Sequence, residues 1–425
     1  MRKNSIILSL IFFIYLALVA CGSKTGKHDT RFANDNLTAS QILGDTNYLA
    51  MCYGGYRSNT RDSQPSVAQI KDDLKILHAI GIRLLRTYNT YYNEVNHLLQ
   101  AITELKQEDA DFNMYVMLGV WIDCENAWTD KTPVHEKENS VANMAEISCA
   151  VELANQYPQI VKMIAVGNEA MVKWATSYYV TPQIILKWVL HLQQLKKENK
   201  LPHELWITSS DNFASWGGGD SSYHVEALKQ LYDAVDFVSI HTYPMHDTHY
   251  NPSFWKLNKQ HESLSNEAKI DTLMMRAVEY AKTQYAHVVK YMKSIGVNKP
   301  IHIGETGWAS ASDGFYGNDG SRACDEYKAA KYYAWMRSWT NQARITCFYF
   351  EAFDEKWKDA KNPNGSENHF GLFTVEGKAK YALWNMVEQG LFNELSRDGN
   401  RIDKTYQGNT SELLKTVHLP NINNN

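Results

Sequence analysis

Cysteine is scarce in this chain, with six in 425 residues. None is arranged as CxxC and no HExxH occurs, so the sequence indicates neither structural zinc nor zinc catalysis. Positive charge is not in excess: 43 Lys and Arg stand against 47 Asp and Glu, a formal net charge of −4. That leaves no basic footprint for nucleic acid. No GxGxxG follows the first apolar segment, which argues against a dinucleotide-binding sheet. Beyond residue 20 no apolar run is long enough to span a bilayer.

The one long apolar run lies at the start. Arg2 and Lys3 precede Ile6 to Ala20, and Cys21 closes the run. This reads as a signal peptide rather than a fold element. Leu18-Val19-Ala20-Cys21 resembles a bacterial lipobox, in which Cys21 would be lipidated. Ordinary cleavage and an uncleaved anchor are the competing readings. The expected organisation is a signal peptide over 1–20, lipidated Cys21 with a polar tether over 21–45, one catalytic domain over 46–392, and a loose polar tail over 393–425. The expected location is the outer membrane of a bacterium. Lysines just after Cys21 favour the periplasmic face over the cell surface. The other five cysteines cannot all pair within one chain. Export permits a Cys124–Cys149 disulfide; Cys52 and Cys347 also read as small buried hydrophobes.

What the chain has is apolar and aromatic mass: 44% and 12%, with 12 Trp and 25 Tyr. Eight short apolar segments each end in polar residues. They are Tyr48–Gly54, Ile82–Thr87, Asn113–Trp121, Met163–Glu169, Glu204–Ser209, Val235–His241, Pro300–Ser310 and Ile345–Ala352. Helix-like patterns separate them, from Val67–Ala79 through Asp325–Asn341, with a last one over Lys378–Gln389. Eightfold alternation argues for an α/β fold, a (β/α)8 TIM barrel in a single domain. The long segments follow the strands, over residues 122–139, 210–222, 242–267, 306–324 and 353–369. They would be βα loops walling a substrate cleft, and Gly217 to Gly219 would lie in a flexible loop.

Three strand ends stand out: Gly167-Asn168-Glu169 on the fourth, Gly304-Glu305-Thr306-Gly307-Trp308 on the seventh, and Glu351 to Lys358 after the eighth. A lone carboxylate closing a buried strand is costly in a core. At the C-terminal mouth of a barrel it fits, because catalytic groups sit there. Two glutamates facing each other across that mouth suit cleavage of a glycosidic bond. A separation of about 5–5.5 Å would make one of them a nucleophile.

These residues resemble glycoside hydrolase family 17, the β-1,3-glucanases and related transglycosylases. GETGWAS, FEAFDEKWK with SENHFGLF, YGGYRSNTRDSQP and RTY carry the resemblance, which covers Tyr48 to Asn385. It implies Glu169 as general acid/base and Glu305 as nucleophile. It adds Glu355, Lys358 and Glu367 as a supporting charge network, Tyr243 as a contact to nucleophile and substrate, and Tyr53 as a further substrate-side residue. Asn168 would hydrogen-bond the sugar 2-OH, and Glu169 would need surroundings that keep it protonated. Trp308, Trp121 and Trp216 read equally as sugar-stacking planes or as packing. Arg86 pairs either with a carboxylate in the mouth or in a structural ion pair, and His302 reads as a core hydrogen bonder. Arg57, Asp62 and Gln64 are explained by loop structure as well as by substrate.

The implied function is an exported, retaining, endo-acting β-1,3-glucan hydrolase, suited to laminarin and needing no cofactor or metal. It would be monomeric, with polysaccharide as its partner and the membrane reached only through the lipid anchor. A β-1,3-glucanosyltransferase would use the same glutamates. A non-catalytic glycan-binding lipoprotein is the alternative of another class, and it would have no need of Glu169, Glu305 and Asn168 together.

Overall fold

The computed structural model describes residues 37–420. The signal-like run and Cys21 lie outside them. Eight strands occur in chain order: β1 Leu49–Cys52, β2 Ile82–Arg86, β3 Tyr115–Val120, β4 Val161–Asn168, β5 Trp206–Asn212, β6 Val238–His241, β7 Ile301–Gly307 and β8 Cys347–Phe350. Each lies parallel to its sequence neighbour, and Ala50 and Met51 of β1 pair with Phe348 and Tyr349 of β8 to close the barrel. Chain closure removes the unpaired edges an open sheet would expose. β3 is buried at every position, as a strand covered on both faces must be.

Seven main helices form the outer ring: α1 Val67–Ala79, α2 Glu94–Glu108, α3 Ser140–Gln156, α4 Pro182–Lys197, α5 Glu226–Ala234, α6 Asn266–Ser294 and α7 Glu326–Gln342. Their bounds follow local chemistry. Ser66 caps α1 by accepting from Gln69 N, while Gln69 Oε1 accepts from Ser66 N, a reciprocal capping box. The buried Ile70, Leu74 and Leu77 fall on one face of α1, each worth about 1.5–3 kcal/mol in burial. Asp325 caps α7 one way only, accepting from Lys328 N at 2.9 Å.

The long segments do leave the C-terminal ends of the strands, but they hold more structure than their composition announces. Residues 122–139 contain an antiparallel hairpin, Cys124–Glu125 with Val134–Glu138, and a helix over Pro244–Tyr250 follows β6. Gly217 is not in a flexible loop. It takes φ +81° in a packed turn, where an added Cβ would stand 2.1 Å from the Tyr291 ring. The expected helix over 378–389 shrinks to Trp384–Glu388 behind one 3₁₀ turn. Backbone bonds from Leu372 and Phe373 to Glu351 and Ala352, and from Lys380 to Leu372, hold the preceding segment in another course. Cys124 is a buried thiol and Cys149 Sγ lies 3.7 Å from the Thr90 carbonyl, so the Cys124–Cys149 disulfide is absent. Cys52 and Cys347 are buried in strands. No described helix is long and apolar enough to cross a membrane.

Both expected domain limits shift outward. Ala39 and Ile42, in a short helix within the proposed tether, are fully buried against the barrel. The tail is no loose polar segment through residue 420. Arg397 in it is fully buried, with Nε 2.8 Å from Asp73 Oδ1, and its guanidinium lies 3.9 Å over the Phe353 ring. Asp73 also takes Arg57 at 2.8 Å and the Tyr53 hydroxyl at 3.0 Å. A buried carboxylate with two arginines is satisfied only while both are present, which ties the tail to α1 and to the loop after β1.

Candidate active site

Glu305 lies on β7 with its carboxylate 9% exposed. An added Cβ at the preceding Gly304 would meet Ser239 Oγ at 2.0 Å and Ser210 Oγ at 2.3 Å, so glycine alone fits that close approach. Three donors converge on the carboxylate. Arg86 Nη1 donates to Oε2 at 2.6 Å, Tyr88 donates to Oε2 at 3.0 Å, and Tyr243 donates to Oε1 at 2.5 Å. Burial alone would raise the pKa of Glu305. His241 and Arg86 oppose it, with the Tyr243 and Tyr88 hydroxyls, and together they hold the group below the usual 4.5.

That direction fixes a pH dependence. In the nucleophile role expected for it Glu305 would work only ionised, so a lowered pKa would keep it active as pH falls and put the acidic limb of kcat/KM below pH 4.5. Arg86→Met removes an opposite charge in direct contact, and we expect the limb to rise by about 1–3 pH units. A pH–rate profile of the variant checks this, and an unmoved limb would contradict the assignment.

Arg86 also joins two strand ends. Its Nη2 donates to Asn168 Oδ1 at 2.6 Å, and Nη1 to the Gly304 carbonyl at 2.9 Å. With its oxygen so engaged, Asn168 has its NH2 as the remaining donor group, the one the expected bond to a sugar hydroxyl would need. Glu169 follows with φ +44°, a left-handed conformation that a non-glycine residue holds only where its surroundings enforce it. Those surroundings are visible. Glu169 N donates to the Ser210 carbonyl at 3.1 Å, and Met171 N donates to Asp211 Oδ2 at 2.7 Å. His241 Nδ1 lies 3.1 Å from Glu169 Oε1, and its Nε2 lies 2.8 Å from Ser210 Oγ. His241 is also the backbone register partner of Glu305 between β6 and β7. Burial pushes the Asp211 carboxyl up to about 6, against its bonds from Ser215 and Met171.

The charges after β8 gather as a cluster. Lys358 Nζ lies 2.5 Å from Glu351 and 3.3 Å from Glu355, with the Phe350 ring 4.0 Å away. Burial raises Glu351 well above the ordinary carboxylate range, Lys358 opposing and Glu355 adding to the shift. Glu355 is buried, accepting from Tyr56 N at 3.0 Å and Trp357 Nε1 at 2.9 Å. Glu367 faces His246 at 3.6 Å on the cleft side.

Not every expected residue reaches the cleft. Trp308 is 1% exposed, donates to the Ala323 carbonyl at 2.8 Å and packs on Trp255 and Tyr332. It has no face to offer a sugar. Trp216 is fully buried on Tyr232. Tyr53 is turned under the barrel mouth onto Asp73, because its hydroxyl completes that buried ion cluster. Arg57 joins the same cluster, and Gln64 accepts from Glu94 N. His302 accepts from Thr346 N at 3.0 Å, a core bond as expected. The open aromatic wall is Trp121, Tyr178 and Trp128, with Trp128 62% exposed and stacked on Tyr178 at 5.0 Å. Burial raises the Tyr178 hydroxyl, and the charges of Glu169, Asp211 and Glu305 add to it, which sets this wall beside both glutamates.

Tyr88, His241, Asp211 and Glu351 are site residues to which the sequence assigns no role, although Tyr88 lies in RTY and Glu351 in FEAFDEKWK. Tyr88 and His241 were within reach, since each lies at or just past a strand end beside a residue already singled out. Among the described residues no cluster of His, Cys, Asp and Glu could hold a metal ion.

Comparison with known proteins bears on the fold and the family. The chain is 59% identical to an endo-laminarinase from Formosa Hel1_33_131, covering 92% of this chain and 99% of that one, with a TM-score of 0.91. A glycoside hydrolase family 17 β-1,3-glucanosyltransferase from Rhizomucor miehei covers 79% of this chain and 96% of its own at 20% identity, with a TM-score of 0.53. At that identity the likeness speaks to the barrel alone. A putative glucan endo-1,3-beta-glucosidase, btgC, from Aspergillus niger is 24% identical over 71% of this chain, which spans only 37% of that protein. The BtgE/BtgC glycoside hydrolase domain model matches residues 50–371, from inside β1 to the segment after β8 that carries Glu355, Lys358 and Glu367. The match thus takes in every strand end described above, and the chain belongs to the BtgE/BtgC glycoside hydrolase family.

Proposed function

We propose that this chain is a retaining, endo-acting β-1,3-glucan hydrolase of the glycoside hydrolase family 17 type, with Glu305 as nucleophile and Glu169 as general acid/base. One observation carries the reading: Arg86 bridges Glu305 and Asn168, while His241 at the end of β6 reaches Glu169 just past β4 and Ser210 on β5. Two carboxylates are thereby gathered at one mouth, one contacted by three donors and the other hydrogen-bonded to His241 and 25% exposed. The 59% identity to an endo-laminarinase supports the substrate class. Asn168, the Lys358 cluster and the Trp121–Tyr178–Trp128 wall supply what a glucosyl ring needs, polar groups for its hydroxyls and flat rings for its C–H face.

The test is product analysis on laminarin, a mixed-linkage glucan and a β-1,6-glucan. Laminarin should yield a ladder of β-1,3-oligosaccharides whose new reducing ends appear first as the β-anomer by NMR. Products longer than the substrate would mark transglycosylation instead, and first release of the α-anomer would exclude a glycosyl-enzyme on Glu305. Export with lipid anchoring at Cys21 is part of the proposal, supported by Ala20-Cys21 closing the apolar run. A Cys21→Ser variant that still fractionates with membranes would count against it.

A further inference from the structure

A second aromatic path leaves the site along the helix that follows β6. It begins at Tyr243, whose hydroxyl meets Glu305, and passes to His246, stacked on Tyr243 at 5.2 Å and 23°. His246 in turn neighbours Tyr316 at 5.5 Å, with the Glu367 carboxylate 3.6 Å from its Nε2. Beyond it stands a trio at the rim. His249 stacks on Phe315 at 4.2 Å and 20°, and Tyr250 closes on His249 at 4.8 Å. Tyr243 and the three histidine and tyrosine positions all belong to the short helix after β6 or its first flank, so one element sets the direction of the path.

The rim trio is otherwise hard to account for. Tyr250 is 64% exposed and Phe315 58%, a large apolar area left in water. Nor is it a loose loop. Phe315 O accepts from Ser321 N at 2.8 Å, Ser321 Oγ bonds Thr248 at 2.8 Å, and the Ser321 carbonyl accepts from Trp255 Nε1 at 2.8 Å. The rings are held in place and faced outward. Preorganised flat rings with carboxylate and imidazole groups leading to them suit a pyranose chain, whose C–H faces stack and whose edges hydrogen-bond. The rim is continuous with the catalytic mouth through His246, so its occupant reaches it from there.

We propose that His249, Tyr250 and Phe315 form a remote stacking site for β-glucan residues several positions from the bond being cleaved, reached along Tyr243, His246 and Glu367. The inference rests on the glucanase reading above and adds to it where a long chain is gripped. A short oligosaccharide that fills only the mouth makes no contact there, whereas a polymer does.

The test is a Tyr250→Ala/Phe315→Ala double variant, assayed on a long unbranched β-1,3-glucan and on the shortest β-1,3-oligosaccharide the wild type cleaves. The polymer-to-oligosaccharide ratio of kcat/KM should fall about tenfold, carried by KM on the polymer, and a Phe315→Trp single variant should keep the ratio at or above wild type. A double-variant ratio at the wild-type value overturns the proposal and would turn attention to a protein partner at the rim. Equal loss on both substrates also overturns it, since that would mean a disturbed mouth. Failure of the underlying reading shows separately, as a wild-type protein that cleaves neither substrate.

Discussion

Glu305→Ala should lower kcat on a β-1,3-glucan by on the order of 10⁴- to 10⁶-fold, equivalent to about 5–8 kcal/mol of lost transition-state stabilisation. The size follows from what the side chain is proposed to do. In a double displacement the carboxylate forms a bond to the anomeric carbon as the leaving oxygen departs, and water later reverses it. Nothing else among the described residues occupies that place. Cys52 lies close by, but burial above all, with the nearby Glu305 charge, pushes its thiol up to about 12, so it cannot substitute as a thiolate. Arg86 is 1% exposed, and removing its partner strands a buried charge, so the alanine variant should also lose stability. Glu305→Gln separates the two effects, because it keeps the shape and most acceptor contacts while removing the nucleophile. Both variants should be inactive and the glutamine form stably folded. Sodium azide should then restore part of the alanine variant's turnover on an activated aryl glucoside, entering the space the carboxylate left. Attack from that face gives the α-glycosyl azide. Wild-type turnover by either variant would rule out the nucleophile assignment.

Much of this arrangement is legible in the sequence because parallel strands buried on both faces are mostly short apolar runs, as β3 is throughout, although β5 continues through Thr208-Ser209-Ser210-Asp211-Asn212. Strand ends are legible for the same reason: the run stops where a carboxylate, Asn or Arg must face the mouth. The bounds of α1 are written locally, in Ser66 and Gln69 at its start and the apolar spacing after it. What stays hidden depends on partners distant along the chain. Asp73 and Arg397 are 324 positions apart, and neither residue alone announces a buried ion cluster. The tail therefore reads as polar and loose while it is in fact packed. Tyr53 lies in a motif that implies a substrate contact, yet its hydroxyl belongs to that same cluster.

Aromatic residues show the limit most sharply. Trp308 directly follows the GETG of Glu305 and is buried, while Trp128, in a segment with no motif, is open to the cleft. Composition says only that rings are plentiful. Which of them show a face depends on how the loops pack, and this is a tertiary property. The donors on Glu305 lie between these extremes. Arg86 and Tyr88 are spaced to reach the mouth together from the end of β2, yet only the closed barrel brings them to β7.

Glu169→Ala should behave differently from Glu305→Ala, and the difference depends on the leaving group. On glucan the departing oxygen belongs to a sugar, a poor leaving group that needs a proton as the bond breaks. Loss of the general acid there should cost about 10²- to 10⁴-fold in kcat. On an aryl β-glucoside with a good leaving group, departure needs no proton. The first step then proceeds on Glu305, and the second slows because no base activates the water. The expected record is a burst of phenol about equal to the enzyme concentration, followed by a slow steady rate, with the glycosyl-enzyme visible by mass spectrometry. Azide should accelerate the second step without base assistance and give the β-glycosyl azide, the opposite anomer from that with Glu305→Ala. The structure supports this division of labour through its asymmetry. Glu305 is enclosed by Arg86, Tyr88 and Tyr243, which suits a group that must stay ionised, whereas Glu169 is hydrogen-bonded by His241 and is the more exposed of the two. If Glu169→Ala lost the aryl substrate as completely as the glucan, with no burst and no azide response, the two roles would have to be exchanged or abandoned.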